Sequence, residues 1–439
     1  MYSKTEKKRV KSKKVTLLLF VVLFLLIFRS EVKSKVLELR ISSPIHSVTE
    51  EYIVKGIEYG NRINANLIVL KIDTPGGLDT SMRKIIKSII NSKAPVAVFV
   101  FPSGGRAASA GFFILLSSDI AVMAKGTNTG AAHPVALMGK NNDKVMGEKV
   151  LNDATAYIKN LAEKRGRNQK MAIAAVKESK SYTDKEALEG GLIELIAQST
   201  NELLNKINGK EIKRFNGEKE KIEIKDKEII YYNMSWRQKF LNVLANPSLA
   251  YLLLMLGLLG LYFEFNHPGG IVPGVAGAIF LLLAAMAFQI LPVNYSGLFL
   301  IILSIVLFIA EIKVQGFGIL GVFGIISLIL GSIILIDAPI KEMKMPLSFV
   351  LPTSILLAAI FVLILVLVVK TYKNRIQTGE EGLIGEIGEA VSTINPEGKV
   401  FLHGEWWNAR SDEKIKKGDK IKVISKDGMT LIVKKIDKD

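Results

Sequence analysis

The chain has 439 residues, and 49% of them are hydrophobic, which is too apolar a composition for a protein without membrane segments. It contains no cysteine, which excludes disulfides and a thiol nucleophile, and its four histidines leave little material for a metal site. We therefore expect neither a metal nor another cofactor, and we expect any hydrolytic chemistry to use a hydroxyl, an amine or a carboxylate.

The formal net charge of +17 is unevenly distributed. Lysine and arginine crowd the first fourteen residues, immediately before the apolar run Val15–Phe28. A basic head before a short apolar run is typical of a signal peptide or a signal anchor, and the sequence leaves both open for residues 1–34. Because basic flanks stay in the cytoplasm, this charge predicts membrane topology, and we expect no nucleic-acid partner.

Residues 35–230 alternate apolar runs of strand length with helical segments. The runs are Val36–Ile41, Leu67–Ile72, Val96–Phe101 and Ile120–Met123. Between the first two runs, apolar residues recur at helical spacing from Thr49 to Asn64. This alternation predicts an α/β domain with a mostly parallel sheet.

A serine stands in a stretch of small residues directly after the third of these runs. Ser109 lies within Phe101–Gly111, where glycine and alanine crowd the chain before an apolar helix begins. A sharp strand-to-helix turn of this kind lifts a hydroxyl clear of the backbone, as at other serine nucleophiles. The turn at Gly76 and Gly77, after the second run, and the backbone of Ala110 can supply N–H groups to an oxyanion.

Three motifs carry a resemblance to a known superfamily. They are Asp73-Thr74-Pro75-Gly76-Gly77, Ala107-Ala108-Ser109-Ala110-Gly111 and Glu186-Ala187-Leu188-Glu189-Gly190-Gly191-Leu192-Ile193. In this order they resemble the Clp-type serine peptidases, and within that superfamily the chain is similar to the membrane-bound NfeD proteases. The resemblance covers nearly the whole chain after residue 35. It implies an α/β domain of the Clp/crotonase type, a helical membrane domain and a small all-β barrel.

Two residues could act as the base for Ser109. The resemblance implies Lys149 as part of a Ser-Lys dyad, because the following Ala156-Tyr157-Ile158-Lys159 fixes the register. A lysine acts as a base only when burial or a neighbouring positive charge lowers its pKa from about 10.4. The alternative is His133, which resembles the histidine of the soluble Clp peptidases, but the expected aspartate is missing and Glu178 stands near its place. We favour Lys149, with His133 as a loop or substrate-side residue.

The resemblance implies a function as well as a fold. It implies a serine endopeptidase that cleaves apolar segments of membrane-associated proteins, with stomatin-like proteins as partners and a homo-oligomer as the working form. Two other classes stay open, a membrane scaffold with an inactive protease domain and a crotonase-like enzyme that acts on a thioester. The glutamate pair and the adenine-pocket residues expected of the latter are not seen in the sequence.

Residues 231–370 are predicted to form a membrane domain surrounded by lipid. After the amphipathic segment Trp236–Leu241, five apolar segments follow, at Leu249–Phe265, Ile271–Ile290, Gly297–Ala310, Gly318–Ile336 and Ser348–Val369. With an offset of 47, Glu264, Gly269, Gly274 and Gly277 recur as Glu311, Gly316, Gly321 and Gly324. The repeat predicts two copies of a hairpin with a glycine-rich bend. We interpret the glutamates as capping or bending each hairpin rather than as an ion site.

Residues 376–439 are predicted to form a small barrel of the OB type, because short alternating strands are separated by turn motifs. Trp406 and Trp407 could stack bases in such a barrel, but near-balanced charge favours a structural or protein-contact role, with one tryptophan in the core and one on the surface. Five spans place this barrel in the cytoplasm and the protease domain outside, which agrees with the basic residues Lys370, Lys373 and Arg375.

Overall fold

The computed structural model describes residues 33–135, 144–266, 269–314, 318–338, 343–373 and 380–436. All but the last two residues of the predicted signal segment 1–34 lie outside this part of the chain. By their contacts, the described residues form two compact units, one reaching residue 304 and including 326–355, the other made of 305–325 and the residues from 356 onwards.

A six-stranded parallel sheet is the centre of the N-terminal domain, with the strand order β11-β1-β2-β3-β5-β8. Its strands are β1 (Lys35–Ser42), β2 (Leu67–Asp73), β3 (Val96–Val100), β5 (Ile120–Met123), β8 (Leu195–Ile196) and β11 (Glu228–Tyr232). Alternate residues of β2 belong to two separate cores, with Ile68 and Leu70 in one and Leu67 and Val69 in the other. A parallel sheet buried on both faces explains why its strands are mostly apolar, and the charged side chains of Lys71 and Glu38 within them pair with each other at 2.8 Å. The sheet confirms the predicted α/β domain.

Helices follow or precede most of these strands. They are α1 (Ser47–Arg62), α2 (Asp79–Ile90), α3 (Ala110–Ser117), α4 (Lys144–Arg165), α5 (Gln169–Lys177), α6 (Asp184–Glu189) and α7 (Thr200–Ile207). A second, three-stranded sheet is formed by β4 (Arg106–Ala108), β6 (Asn128–Gly130) and β7 (Ser181–Thr183), and a short ribbon by β9 (Glu211–Lys213) and β10 (Lys219–Lys221). The three-stranded sheet matters for function because β4 leads directly into Ser109.

Five apolar helices follow the amphipathic helix α8 (Trp236–Leu244). They are α9 (Pro247–Asn266), α10 (Val272–Phe288), α11 (Tyr295–Val314), α12 (Ile319–Ile334) and α13 (Leu347–Lys373). They coincide with the five predicted apolar segments. Among the described residues, one stretch, Pro247–Phe265, is long and apolar enough to cross a membrane, with 19 residues and a mean hydropathy of 1.8. The apolar stretches of the other four helices are shorter.

Glycines allow two pairs of these helices to approach closely. A Cβ atom added at Gly277 of α10 would lie 2.9 Å from the carbonyl oxygen of Gly257 in α9, and one added at Gly331 of α12 would lie 2.8 Å from the carbonyl oxygen of Gly297 in α11. Close packing at Gly277 agrees with the repeat. The repeat counterparts Gly274 and Gly321 each face the repeated glutamate, but an added Cβ would lie 2.8 Å from Glu264 Cγ at Gly274 and 3.9 Å from Glu311 Cγ at Gly321.

The repeated glutamates bond to the backbone at the bends that follow them. Glu311 accepts hydrogen bonds from the N–H groups of Gly318 (2.8 Å) and Gly321 (3.1 Å), at the start of α12. Glu264 accepts one from Gly269 (3.3 Å) with Oε1, while its Oε2 is buried with no partner among the described residues. These bonds support the interpretation of the glutamates as helix caps.

The C-terminal domain is a closed five-stranded barrel. After the short helix α14 (Glu380–Leu383), its strands are β12 (Ile387–Ala390), β13 (Glu397–Leu402), β14 (Glu405–Arg410), β15 (Lys420–Asp427) and β16 (Thr430–Lys435). They close in the order β12-β13-β14-β16-β15, as in an OB fold. Trp406 is 69% exposed, whereas Trp407 packs against the barrel core, so the tryptophan pair divides between surface and core as predicted.

Candidate active site

Ser109 occupies a strained turn between β4 and α3. Its backbone has φ 53° and ψ −117°, a conformation that residues other than glycine rarely adopt. Its N–H donates to the Gly130 carbonyl at 2.9 Å, which ties the turn to β6. The turn has the strand-to-helix geometry that exposes a nucleophilic hydroxyl. Among the described residues, no side chain forms a hydrogen bond with Ser109 Oγ.

The end of β2 holds this turn in place. The Thr74 N–H donates to the Arg106 carbonyl (2.7 Å), and the Ala108 N–H donates back to the Thr74 carbonyl (3.1 Å). The Asp73 carboxylate accepts from the Arg106 N–H (3.0 Å) and from the Ser42 hydroxyl (3.2 Å). The first two residues of the motif that begins at Asp73 therefore hold β4 in place. Sequence reasoning singled out this motif but assigned no function to Asp73 or Thr74.

Glycine is required at two positions around the serine. A Cβ atom at Gly76, where φ is +110°, would lie 2.6 Å from Ser109 Cβ and 3.0 Å from Ser109 Oγ. A Cβ atom at Gly111 would lie 2.6 Å from Thr74 Cγ2. The predicted oxyanion segment thus lies directly against the serine. A residue larger than glycine at position 76 would clash with the Ser109 side chain.

The three predicted oxyanion donors are not equivalent. The Gly76 N–H already donates to Thr74 Oγ1 at 3.2 Å. The N–H groups of Gly77 and Ala110 have no hydrogen-bond acceptor in the described part of the chain, and Ala110, as the first residue of α3, has no intrahelical acceptor to reach. Backbone N–H groups without a protein acceptor are free to stabilise a negatively charged oxygen.

Neither candidate base forms a hydrogen bond with Ser109 within the described residues. Lys149 is exposed near the start of α4, six residues after the undescribed segment 136–143. His133 is exposed on the other side of that segment, and its Nδ1 lies 3.0 Å from the Val176 carbonyl. Glu178, near the place where a triad would need an acid, pairs instead with Lys180 at 2.9 Å.

Tyr157 packs α4 against α3, the helix that follows Ser109. Its ring stacks on that of Phe113 in α3 at a centroid distance of 6.0 Å. The Arg83 guanidinium lies over the Tyr157 ring, 4.6 Å from the ring centre. Arg83 also pairs with Asp153, one helical turn earlier in α4. Because α4 is fixed at Tyr157, Lys149 lies roughly 12 Å along the helix from a firm contact with α3.

Exposed apolar side chains lie on both sides of segment 136–143. Val135 precedes it, and Val145, Met146 and Val150 follow it in the first turns of α4; each is at least 40% exposed. Exposed apolar side chains of this kind can bind an apolar peptide.

Three families match the chain in succession. Residues 35–229 match the NfeD1b N-terminal domain, residues 248–367 the NfeD integral membrane domain, and residues 380–435 the NfeD-like C-terminal, partner-binding domain. These matches cover the α/β domain, the apolar helices and the barrel in that order.

Full-length relatives are similar over almost the whole chain. Membrane-bound protease PH1510 of Pyrococcus horikoshii is 37% identical, over 95% of this chain and 97% of the relative. Membrane protein NfeD1b of Bacillus subtilis is 28% identical, over 88% of this chain and 89% of the relative. A solved structure of the 1510-N membrane protease specific for a stomatin homolog, from Pyrococcus horikoshii, is 34% identical, with a TM-score of 0.43, and covers 48% of this chain and 98% of the solved one.

Proposed function

The chain belongs to the NfeD family of membrane proteins, and from that premise we propose that its N-terminal domain is a serine endopeptidase. The observation that carries the proposal is the Ser109 turn, in which a strained serine lies in contact with Gly76 and is followed by Ala110, whose N–H has no acceptor in the described part of the chain. A serine that serves only packing does not need this backbone geometry, which costs of the order of 1–3 kcal/mol.

The proposed reaction uses Ser109 and Lys149 as a dyad. The neutral amine of Lys149 accepts the hydroxyl proton while Ser109 Oγ forms a bond to the scissile carbonyl carbon. The carbonyl oxygen becomes an oxyanion, which accepts hydrogen bonds from Gly77 and Ala110. When the tetrahedral intermediate collapses, the C–N bond breaks and Lys149 returns its proton to the leaving amine. Water then hydrolyses the acyl-enzyme by the same steps.

The proposed substrate is an apolar segment of a membrane-associated protein, and a stomatin-like protein is the partner that the family resemblance implies. The exposed apolar residues around segment 136–143 support an apolar substrate. Binding of such a peptide, or of a second copy of the chain in a homo-oligomer, would cover the exposed start of α4 and remove water from Lys149. Desolvation favours the neutral amine that the dyad needs.

We propose a multi-pass membrane topology with the protease domain outside and the barrel in the cytoplasm. The five apolar helices and the basic N-terminal head support it. Protease added to right-side-out vesicles should remove residues 35–245 and spare residues 380–436. Protection of the N-terminal domain together with loss of the barrel would reverse the proposed orientation.

Labelling by a fluorophosphonate, a reagent that reacts with activated serines, tests the proposed chemistry. The full-length protein should be labelled, and should cleave an apolar peptide, while Ser109→Ala should do neither and keep its melting temperature. Ser103→Ala, which removes an exposed serine from the same loop region, is the matched control and should behave as the parent protein. Absence of labelling in the parent would favour an inactive scaffold, and labelling without peptide cleavage but with thioester hydrolysis would favour a crotonase-like enzyme.

A further inference from the structure

The residues just before α1 are in direct contact with the oxyanion segment. The Ile45 N–H donates to the Gly76 carbonyl (2.7 Å), and the Ile45 carbonyl accepts from the Leu78 N–H (2.8 Å). A Cβ atom at Gly77 would lie 2.0 Å from the Ile45 carbonyl oxygen, so the two backbones touch. The position of the Gly77 N–H therefore depends on the position of Ile45.

The first turn of α1 also packs against the membrane domain. Val48 forms a buried apolar cluster with Ala245, at the end of α8, and Ile290, just after α10; Leu241 of α8 packs against this cluster. The same short stretch of chain, Ile45 to Val48, thus touches the active site at one end and the membrane domain at the other.

His46 lies in the middle of this stretch and is only 2% exposed. Its Nδ1 accepts the Val48 N–H (3.3 Å), and its backbone N–H donates to Thr49 Oγ1 (2.9 Å), so it caps α1 on both counts. Burial lowers the pKa of His46 to about 4, against the opposing effect of its neighbour Asn242. The ring is therefore neutral at ordinary pH, and because Nδ1 is an acceptor, the proton is on Nε2.

Asn242 of α8 faces this ring with an incomplete contact. Its side chain lies beside the His46 imidazole, where it raises the pKa of His46 against the larger effect of burial. Its Oδ1 is nevertheless buried without a hydrogen bond of good geometry among the described residues. A buried carbonyl oxygen without a donor is destabilising, and a small movement of α8 toward the His46 Nε2–H would recover part of the lost stability. The contact between His46 of the N-terminal domain and Asn242 therefore depends on the position of α8.

We propose that Asn242 and His46 form a positioning link, through which the membrane domain sets the Gly76–Gly77 segment and so the rate of peptide cleavage. The inference rests on the proposed protease function. A shift of α8 moves the first turn of α1, Ile45 moves with it, and the Gly77 N–H changes its place relative to Ser109. Because oxyanion donors act on the transition state more than on the bound substrate, the link should change kcat and leave KM nearly constant.

The test uses the full-length protein in detergent. Asn242→Ala should lower kcat about tenfold with KM within twofold, since a small misplacement of a catalytic group is expensive in rate. Its affinity for a peptide boronate should fall by the same factor, because the tetrahedral adduct places an oxygen at the same N–H donors. Val243→Ala is the matched control, being next in α8 and 59% exposed, and should change neither quantity.

His46→Asn separates positioning from capping. Asparagine can still accept the Val48 N–H as a helix cap, but its shorter side chain cannot span the contact with Asn242. We expect a melting temperature within a few degrees of the parent and the same tenfold fall in kcat. Parent-like kcat in both variants, or losses that follow a lowered melting temperature, would overturn the link. If the parent itself cleaves no peptide and is not labelled at Ser109, the protease proposal fails instead.

Discussion

The two sides of the candidate active site differ in how completely the chain itself builds them. On the nucleophile side, Ser109 is fixed by backbone hydrogen bonds from β2, β4 and β6, and Gly76 lies against it with no space to spare. On the base side, the start of α4 is exposed, and Lys149 forms no hydrogen bond with Ser109 within the described residues. The Ser109 turn is therefore preorganised, whereas the start of α4 is exposed to solvent.

This difference suggests how such an enzyme can avoid indiscriminate cleavage. Preorganised oxyanion donors reduce the barrier for any carbonyl that reaches them. A lysine accepts a proton only as the neutral amine, and burial favours that form. A requirement that substrate or a second copy cover the start of α4 would therefore restrict cleavage to peptides that bind there.

The largest expected effect comes from removing the amine of Lys149, the proposed base. Lys149→Ala should lower kcat by roughly 1,000-fold or more, since members of one catalytic unit fail together. Because Lys149 is exposed, the melting temperature should not change. Lys159→Ala, an exposed lysine further along α4, should retain parent activity.

The competing base gives the outcome that would contradict this assignment. His133→Ala should keep most of the activity, and cleavage by the parent protein should increase toward alkaline pH, because an ammonium group has no lone pair with which to accept a proton. A collapse of activity in His133→Ala, with Lys149→Ala close to the parent, would replace the dyad by a Ser-His pair.

A smaller but still large effect should follow from disturbing the preorganised side. Gly76→Ala adds a methyl group 2.6 Å from Ser109 Cβ and should lower kcat/KM about 100-fold. Gly126→Ala is the control, because Gly126 also has a positive φ (+73°) but has no atom within 4 Å of an added Cβ. Both variants should lose about 1 kcal/mol in the free energy of unfolding from backbone strain. Equal rates in the two variants would show that the contact with Ser109 is unimportant.

The last expected effect concerns stability and leaves the rate aside: the free energy of unfolding should depend on acid through His46, the residue that follows Ile45 beneath Gly76 and Gly77. The pKa of His46 is about 4 in the folded protein and 6.5 without burial, so the unfolded chain binds the proton first. The contribution of His46 to the free energy of unfolding is complete above pH 6.5 and is lost as the pH falls toward 4, with a maximum of about 3 kcal/mol.

Denaturant unfolding of the parent and of His46→Asn at pH 7.5, 5.5 and 4.5 measures this contribution. The parent should lose more stability than the variant over this range, because asparagine does not titrate. Parallel losses in the two proteins would show that His46 is not the group responsible.

Much of the architecture was predictable because it depends on apolar periodicity. The mostly apolar runs at Leu67–Ile72 and Val96–Phe101 form the buried centre of a parallel sheet, and the five apolar segments form α9 to α13. The barrel followed from its turn motifs. In each case the pattern is set by burial over many residues, so a single exception does not obscure it.

The local details of the site were less accessible because they depend on contacts between distant segments. The bridge between Ile45 and Gly77 joins residues 32 positions apart, and nothing in either neighbourhood indicates the pairing. His46 looks like a loop histidine until the packing of Val48 against Ala245 shows that it is buried. The repeat predicts equivalent packing at Gly277 and Gly324, but an added Cβ would lie 2.9 Å from the Gly257 carbonyl oxygen at the first and 3.0 Å from the Phe308 ring at the second, because equivalent positions in a repeat need not have equivalent neighbours.

The backbone of Ser109 restricts which residues evolution could place there. Threonine carries the same hydroxyl, but its branched Cβ is poorly tolerated at φ 53°, and its extra methyl group would have to fit beside Gly76. Replacement of serine by threonine is harmless at most surface positions, but it is not tolerated at this one. The turn that exposes the hydroxyl of the proposed nucleophile therefore also restricts this position to a primary alcohol.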